Sequence, residues 1–302
     1  FIILWAVMAN SSLHPSRTKY LALLKQTTAI EFEIVQAEHL NENLKTIRQV
    51  ASGDSVTLKN QALNTYQRAQ RRQQLNESRR QNNLEQIFSL ALEYINQDAQ
   101  FDRIDLDWMM KYTELAQNVF STTMQDLWSK ILAVELSNSG AFSYKSLKVL
   151  SELSSKEALL FYKAVNIICR IGDDKSSKII TGVYKKPTLI SIFSKSNRFA
   201  INLAKFGLSY TQLIALAEIG LIYEQEIESA PSKTNDTVNL TYQGSNYKLK
   251  VKQNDVTVTY YKLTQTGEEL MKLVTQEQNK NFLSSLLSDF SSLLEIQGTL
   301  NE

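Results

Sequence analysis

The stretch Tyr260–Val274, "YYKLTQTGEELMKLV", decides how the rest of the chain is read. A tyrosine-rich, alternating run reads as a β-strand. Thr264 and Gly267 then lead into an amphipathic helix through Leu270 and Met271. A strand that returns in this way into a short last helix is the pattern of a winged-helix wing. It raises two functional readings: a module that reads nucleic acid, or the same shape used to hold a protein.

The preceding segments fit that module. "KIITGVYK" (178–185), "TLISIFSK" (188–195), "LIYEQEIES" (221–229), "VNLTYQ" (238–243), "YKLKVK" (247–252) and "VTVTYYKL" (256–263) alternate as strands. Ser209 with Gln212 forms a capping-box pattern that opens "SYTQLIALAEIG", in the place of a recognition helix. Ser154 with Glu157 repeats the pattern and starts a helix to about Ile171, and Ser143 caps the helix before it. Further upstream, "WMMKYTELAQNVF" and "TTMQDLWSKILAVELS" read as helices after an Asp105 or Asp107 cap, with a linker over 97–107. Residues 16–51 carry Leu21, Leu24, Ile30, Ile34 and Leu40 on a rough helical period. A second long helix is expected from Thr57 to Ile95, and "NFLSSLLSDFSSLLEI" (281–296) reads as a separate amphipathic helix.

The expected class is therefore α+β and mainly helical. Its parts are an N-terminal helical arm over 1–104, a helical layer over 105–142, a winged-helix-like module over 143–275 and a C-terminal helix over 276–302. With 302 residues the chain is long enough for about two domains. Its single cysteine, Cys169, excludes an internal disulfide and a cysteine metal cluster. Only His14 and His39 could supply imidazole, a poor basis for a histidine triad or zinc site. No phosphate loop, nucleophile elbow or kinase signature is present. The reading implies no cofactor, no metal and no evident small-molecule substrate, and an enzyme is its least supported class. The opening "FIILWAVMANSS" holds an apolar run too short for the roughly 20 residues of a membrane span. Translation starting at Met8 is the expectation there, with a truncated membrane anchor as the rival. A cytoplasmic, reducing setting fits the cysteine usage.

Charge decides between the two functional readings. From Gly172 to Gly207 seven Lys or Arg face two Asp, a balance of +5. From Leu208 to Asp236 one Lys faces five acidic residues, a balance of −4. The helix in the recognition position lies in the acidic half and has no Lys or Arg, whereas a groove-reading helix needs basic or amide groups. Glu224, Glu226 and Glu228 alternate beside it. Basic candidates lie elsewhere: Arg68, Arg71, Arg72, Arg79 and Arg80 on the long helix, Lys185 and Lys186, and Lys248, Lys250 and Lys252 on one strand face. For each set the plainer reading is a solvated face. Glu135 falls within the apolar stripe of Met124, Leu127, Trp128 and Ile131, so it is expected to be partly buried and to accept hydrogen bonds from backbone N–H groups at the Ser143 helix start or from a nearby hydroxyl. Phe282, Leu283, Leu286, Phe290 and Leu293 form a wide apolar face that either packs within the chain or pairs with a second subunit.

The stretch Met124–Phe161 resembles an uncharacterised family of conserved hypothetical proteins from marine gammaproteobacteria. The matching residues are Met124, Gln125, Leu127 and Trp128, then Ile131, Leu132, Ala133 and Glu135, then Gly140, Phe142 and Ser143, then Glu157, Ala158 and Phe161. "QNNLEQI" (81–87), "DLDWMMKY", "KIITGVYKK" and "YYKLTQTGEEL" extend the likeness over roughly 75–275. Asn138 and Ser139 depart from it, standing where the family tends to carry a basic residue and proline. The resemblance implies a cytosolic bacterial protein and supplies no catalytic residues. Together these readings point to a non-enzymatic interaction or scaffolding protein that self-associates or holds a protein partner. The alternative is nucleic-acid binding through the wing and the arginine-rich helix.

Overall fold

The structure is a computed structural model that describes residues 15–36, 46–49, 54–59, 63–95, 104–187 and 198–300. The chain divides after Gln86 into two units.

In the first unit, α1 (Pro15–Thr28) is short. Ala29 adopts a left-handed φ of 59°, which ends the helix well before the expected position 51. The segment beyond it is strand: β1 (Phe32–Gln36), β2 (Thr46–Gln49) and β3 (Asp54–Leu58) form an antiparallel sheet in the order β1-β3-β2. Phe32 pairs with Leu58 and Ile34 with Val56, so apolar side chains meet across the ladder. α2 (Thr65–Ala91) follows. Asn64 and Gln67 exchange backbone and side-chain hydrogen bonds at 2.9 Å and fix its start eight residues after the expected Thr57.

The second unit is α+β. α3 (Leu106–Ala116) is capped by Asp105, which accepts from the N–H groups of Asp107 and Trp108. α4 (Thr122–Ser137), α5 (Tyr144–Glu152) and α6 (Ser155–Val165) follow. Ser143 caps α5, and Ser154 with Glu157 closes a reciprocal capping box on α6. Strands β4 (Cys169–Ile171), β5 (Lys178–Lys185) and β6 (Arg198–Ala200) lead through a 3-10 turn at Leu203–Phe206 to α7 (Tyr210–Glu218). Then come β7 (Ile227–Glu228), β8 (Thr237–Tyr242), β9 (Ser245–Val251), β10 (Val256–Lys262), α8 (Gln265–Met271), α9 (Lys280–Phe290) and β11 (Leu294–Leu300). Among the described residues there are thus nine α-helices.

The large sheet has eight antiparallel strands in the order β11-β9-β8-β4-β5-β10-β7, with β6 beside the far end of β5. Its register places Val258 opposite Val183 and Leu249 opposite Val238, which stacks the apolar side chains along the ladder. α6 ends at Val165, because Cys169–Ile171 is taken by β4 rather than by a longer helix. "LIYEQEIES" yields only the two-residue β7 and an isolated bridge between Ile222 and Leu263. The C-terminal helix stops at Phe290, and Leu294–Leu300 instead pairs along β9. Met8 and "TLISIFSK" lie outside the described residues.

Two aromatic clusters anchor the second unit. Trp108, Tyr112 and Trp128 pack together at 5.1 and 5.3 Å between ring centroids. The Tyr112 hydroxyl donates to the Trp128 carbonyl at 2.7 Å, and the Trp108 indole N–H to the Phe142 carbonyl at 2.7 Å. These bonds satisfy the polar ends of the buried Trp108 and Tyr112 rings, whereas the buried Trp128 indole N–H has no hydrogen-bond partner among the described residues. In the second cluster, Phe282 of α9 contacts the rings of Phe206 and Tyr242 at 5.2 and 5.6 Å.

Candidate functional site

The acidic residues separate into two groups according to their partners. The first group is consumed in holding the fold. Glu135 is buried near the end of α4, and its two oxygens accept from the N–H groups of Gly140 and Phe142, the latter at 3.0 Å. The carboxylate thus closes the loop that precedes α5, with Gly140 at the left-handed φ of 84° that this turn requires. Glu269 of α8 makes the longer-range version of the same bond. It is buried and accepts from the Ser143 N–H at 2.6 Å, the Ser143 hydroxyl at 2.8 Å, the Ser146 hydroxyl at 2.6 Å and Gln265 at 2.8 Å. Burial alone would raise its pKa, but the hydrogen bonds from Ser146, Ser143 and Gln265 outweigh that and hold it below the ordinary value. The neighbouring Glu268 accepts from the Ser177 N–H and hydroxyl. Two consecutive carboxylates on one short helix therefore clasp two distant turns.

A cleft of about 540 Å³ beside Gly172–Lys178 is organised in the same self-sufficient way. Lys178 is buried, and its ammonium donates to the carbonyls of Asp174 and Ser176 at 3.0 and 3.2 Å. Burial pushes its pKa down, against the pull of Asp174. Asp174 accepts from Ser176, which with nearby Lys178 draws its carboxyl well below the usual range, and it also meets Lys262 at 3.3 Å. Cys169 is buried, and desolvation raises its thiol, so it behaves as a small apolar residue. Among the described residues no group of His, Cys, Asp and Glu could hold a metal ion.

The arginine candidates belong to the first unit, and within the second unit the lysine candidates lie on or beside different strands. Arg68 donates to the Leu63 carbonyl and the Thr65 hydroxyl, and Arg80 pairs with Glu77 at 3.0 Å. Arg71 and Arg72 are exposed on α2, and Arg79 is half-buried there. Lys185 reaches Gln253, and Lys186 pairs with Glu228 at 3.6 Å. Lys248 and Lys250 alternate with buried Tyr247, Leu249 and Val251, so they lie on the opposite face of β9. That strand is enclosed between β11 and β8, with Glu295 directly across from Lys250, and the Lys252 ammonium donates to the Ser291 carbonyl. β9 therefore does not stand free as a basic wing. β8 and β4 separate its lysines from β5.

The apolar face of α9 is likewise spent. Phe282, Leu286, Phe290 and Leu293 are buried within the chain and Leu283 is half-buried, which is packing in cis, one of the two arrangements expected of this face.

Apolar side chains also stand outward on α3 (Leu106, Met110) and α6 (Leu159), but on α7 they border a groove. The Ser209–Gln212 capping box fixes the start of the helix, which takes up Gln212, its only side-chain amide. Leu213 and Leu216 point into the core, while Tyr210, Ile214 and Glu218 recur every four residues along the exposed side. Tyr210 is 70% exposed and Ile214 41%, well above what a core-facing helix leaves open. With Tyr261 of β10 and Glu224 they line a groove of about 240 Å³. Burial raises the Tyr261 pKa, and the nearby Glu226 and Tyr210 add to the rise. Of the other two glutamates in the alternating run, Glu226 is engaged by Thr181 and Arg198, and Glu228 lies near Lys186 and Tyr184, which is pushed up to about 12, chiefly by burial. Among the described residues the groove is lined by no Lys or Arg.

A sequence model of the family described as "Protein of unknown function (DUF2806)" matches residues 67–287. The chain belongs to that family. The DUF2806 match covers α3–α8 and the α7 groove, and it runs into α9. No curated protein and no solved structure matches the chain. No helix among the described residues of this DUF2806 protein is long and apolar enough to cross a membrane.

Proposed function

We propose that this DUF2806 protein is a non-enzymatic protein-interaction module. In this reading α5–α8 and the strands around them form a winged-helix-like unit, and α7 takes the recognition position but presents an apolar, acid-edged face. One observation carries the reading: Tyr210 and Ile214 stand exposed over a groove, on a helix with no cationic side chain. A nucleic-acid reader would need positive charge there to offset phosphate. The saturated carboxylates Glu135, Glu268 and Glu269, and the self-paired Asp174–Lys178 cleft, support a scaffold over a catalyst. A buried thiol at Cys169 suits the reducing cytoplasm proposed for it.

The test is site-specific photo-crosslinking in the native cell. A crosslinker replacing Tyr210 should give one discrete adduct with a polypeptide, and the adduct should disappear with Ile214→Asp. A crosslinker at Glu152, exposed on α5, should not give it. Absence of an adduct at Tyr210, or the same adduct from both positions, removes the reading.

A further inference from the structure

We infer that the occupant of the α7 groove is a cationic amphipathic helix of another protein, with Lys or Arg flanking its apolar face. The inference rests on the interaction reading and adds the chemistry of the partner.

Three features converge on that chemistry. The groove floor and wall are apolar and aromatic, built from Leu213, Ile214, Tyr210 and Tyr261. Its volume of about 240 Å³ falls below the roughly 300–1,000 Å³ of small-molecule sites, so it suits anchor side chains projecting from a helix. Its lining carries two carboxylates and no cation: Glu218 from the end of α7 and Glu224 from the segment after it, both exposed. Glu226 does not count toward this edge, because Arg198 and Thr181 occupy it.

The position of Glu218 strengthens the sign argument. It is the last residue of α7, where the helix dipole already places partial negative charge. A carboxylate there is electrostatically unfavourable in the free protein, and an arriving ammonium or guanidinium would relieve both charges together. Lys262 cannot supply it in cis. As the neighbour of Tyr261 on β10 it points to the other side of the strand, where its ammonium meets Asp174 at 3.3 Å. An acidic or neutral helix would leave the carboxylates facing a like or apolar surface.

The experiment uses the full chain and two synthetic probes of identical composition in leucine and lysine. One is ordered to form an amphipathic helix, and the other is scrambled to destroy the apolar face. Binding is followed by fluorescence anisotropy as NaCl is raised. The ordered probe should bind and the scrambled one should not. Glu218→Lys with Glu224→Lys should weaken binding by about tenfold or more, because attraction becomes repulsion. Ile214→Asp should abolish it although it adds negative charge, which separates groove docking from diffuse attraction to an acidic protein. Circular dichroism of each variant shows whether the fold persists, and Glu218→Gln with Glu224→Gln serves as the milder pair should the reversal unfold the chain. Equal binding of both probes, or indifference to the glutamate variants, overturns the inference. So does a full chain that self-associates through Tyr210, since the occupant would then be a second copy. A Tyr210 photo-adduct that persists with the glutamate pair reversed removes the cationic partner but leaves the interaction reading standing. Absence of any Tyr210 adduct from the chain with both glutamates intact removes both.

Discussion

Glu269→Ala should be among the most damaging single substitutions outside the apolar core. The carboxylate serves the Ser143 N–H, the Ser143 hydroxyl and the Ser146 hydroxyl across more than a hundred residues of sequence. Removing it leaves the Ser146 hydroxyl and the start of α5 without their acceptor in a site only 6% exposed at Glu269. A buried donor left unmade costs about 1–3 kcal/mol, and the loss of charge-assisted bonds sits at the upper end, so about 3 kcal/mol is expected. For a unit of this size each kcal/mol moves the melting midpoint by roughly 2–4 °C, giving a fall of roughly 6–12 °C. Differential scanning calorimetry of the full chain reads this directly. A double-mutant cycle makes the test specific: Ser146→Ala should cost clearly less in the Glu269→Ala background than alone, because its partner is already gone. The pH dependence adds a sign. Since the folded pKa is lowered, the contribution is complete above the unfolded value of about 4.3 and is lost as pH falls through the folded one. The gap between wild type and Glu269→Ala should therefore narrow on acidification below about pH 4. A midpoint within about a degree of wild type at neutral pH, or an unchanged cost for Ser146→Ala, would refute the clasp as a stabilising element.

Glu135→Ala should lower stability by about 1–3 kcal/mol, read by urea unfolding, since it orphans the Gly140 and Phe142 N–H groups. Gly267→Ala should be worse than its chemistry suggests. A Cβ there would come 2.1 Å from the Leu221 carbonyl oxygen, so a destabilisation toward the upper end of the roughly 1–3 kcal/mol range for overpacking is expected in the same assay. Duplex DNA should show no binding that falls steeply with salt, and changing Lys248, Lys250 and Lys252 to Gln should leave anisotropy titrations at low ionic strength unaltered.

Local signals carried most of what was legible. Asp105, Ser143, Ser154 with Glu157 and Ser209 with Gln212 all cap the helices expected of them, because a cap is settled within three or four residues. β8 and β9 alternate visibly, β5 and β10 are rich in β-branched and aromatic residues, and all four are strands. The errors arise where a local pattern serves two structures. Ile30 and Ile34 fit a helical stripe, yet the left-handed Ala29 precedes them and "FEIVQ" pairs with β3. "LLEI" continues the apolar period of α9, but Leu294 and Ile296 are drawn into the edge of the sheet by β9. Glu269 escapes a sequence reading because its partners lie about 125 residues away, and its neighbours on the same helical face, the exposed Gln265 and the polar Thr266, form no apolar stripe. The α7 groove was half legible: the missing positive charge could be read from composition, whereas Tyr261 joins the wall only through the return of β10.

β11 occupies the flank of β9 that would otherwise show a row of unpaired amides and carbonyls. A shortened chain that loses this last ribbon would keep α7 and its surroundings, yet it would present an open seam to its neighbours. Such a product would be recognised first by its stickiness, as clumps sedimenting from solution.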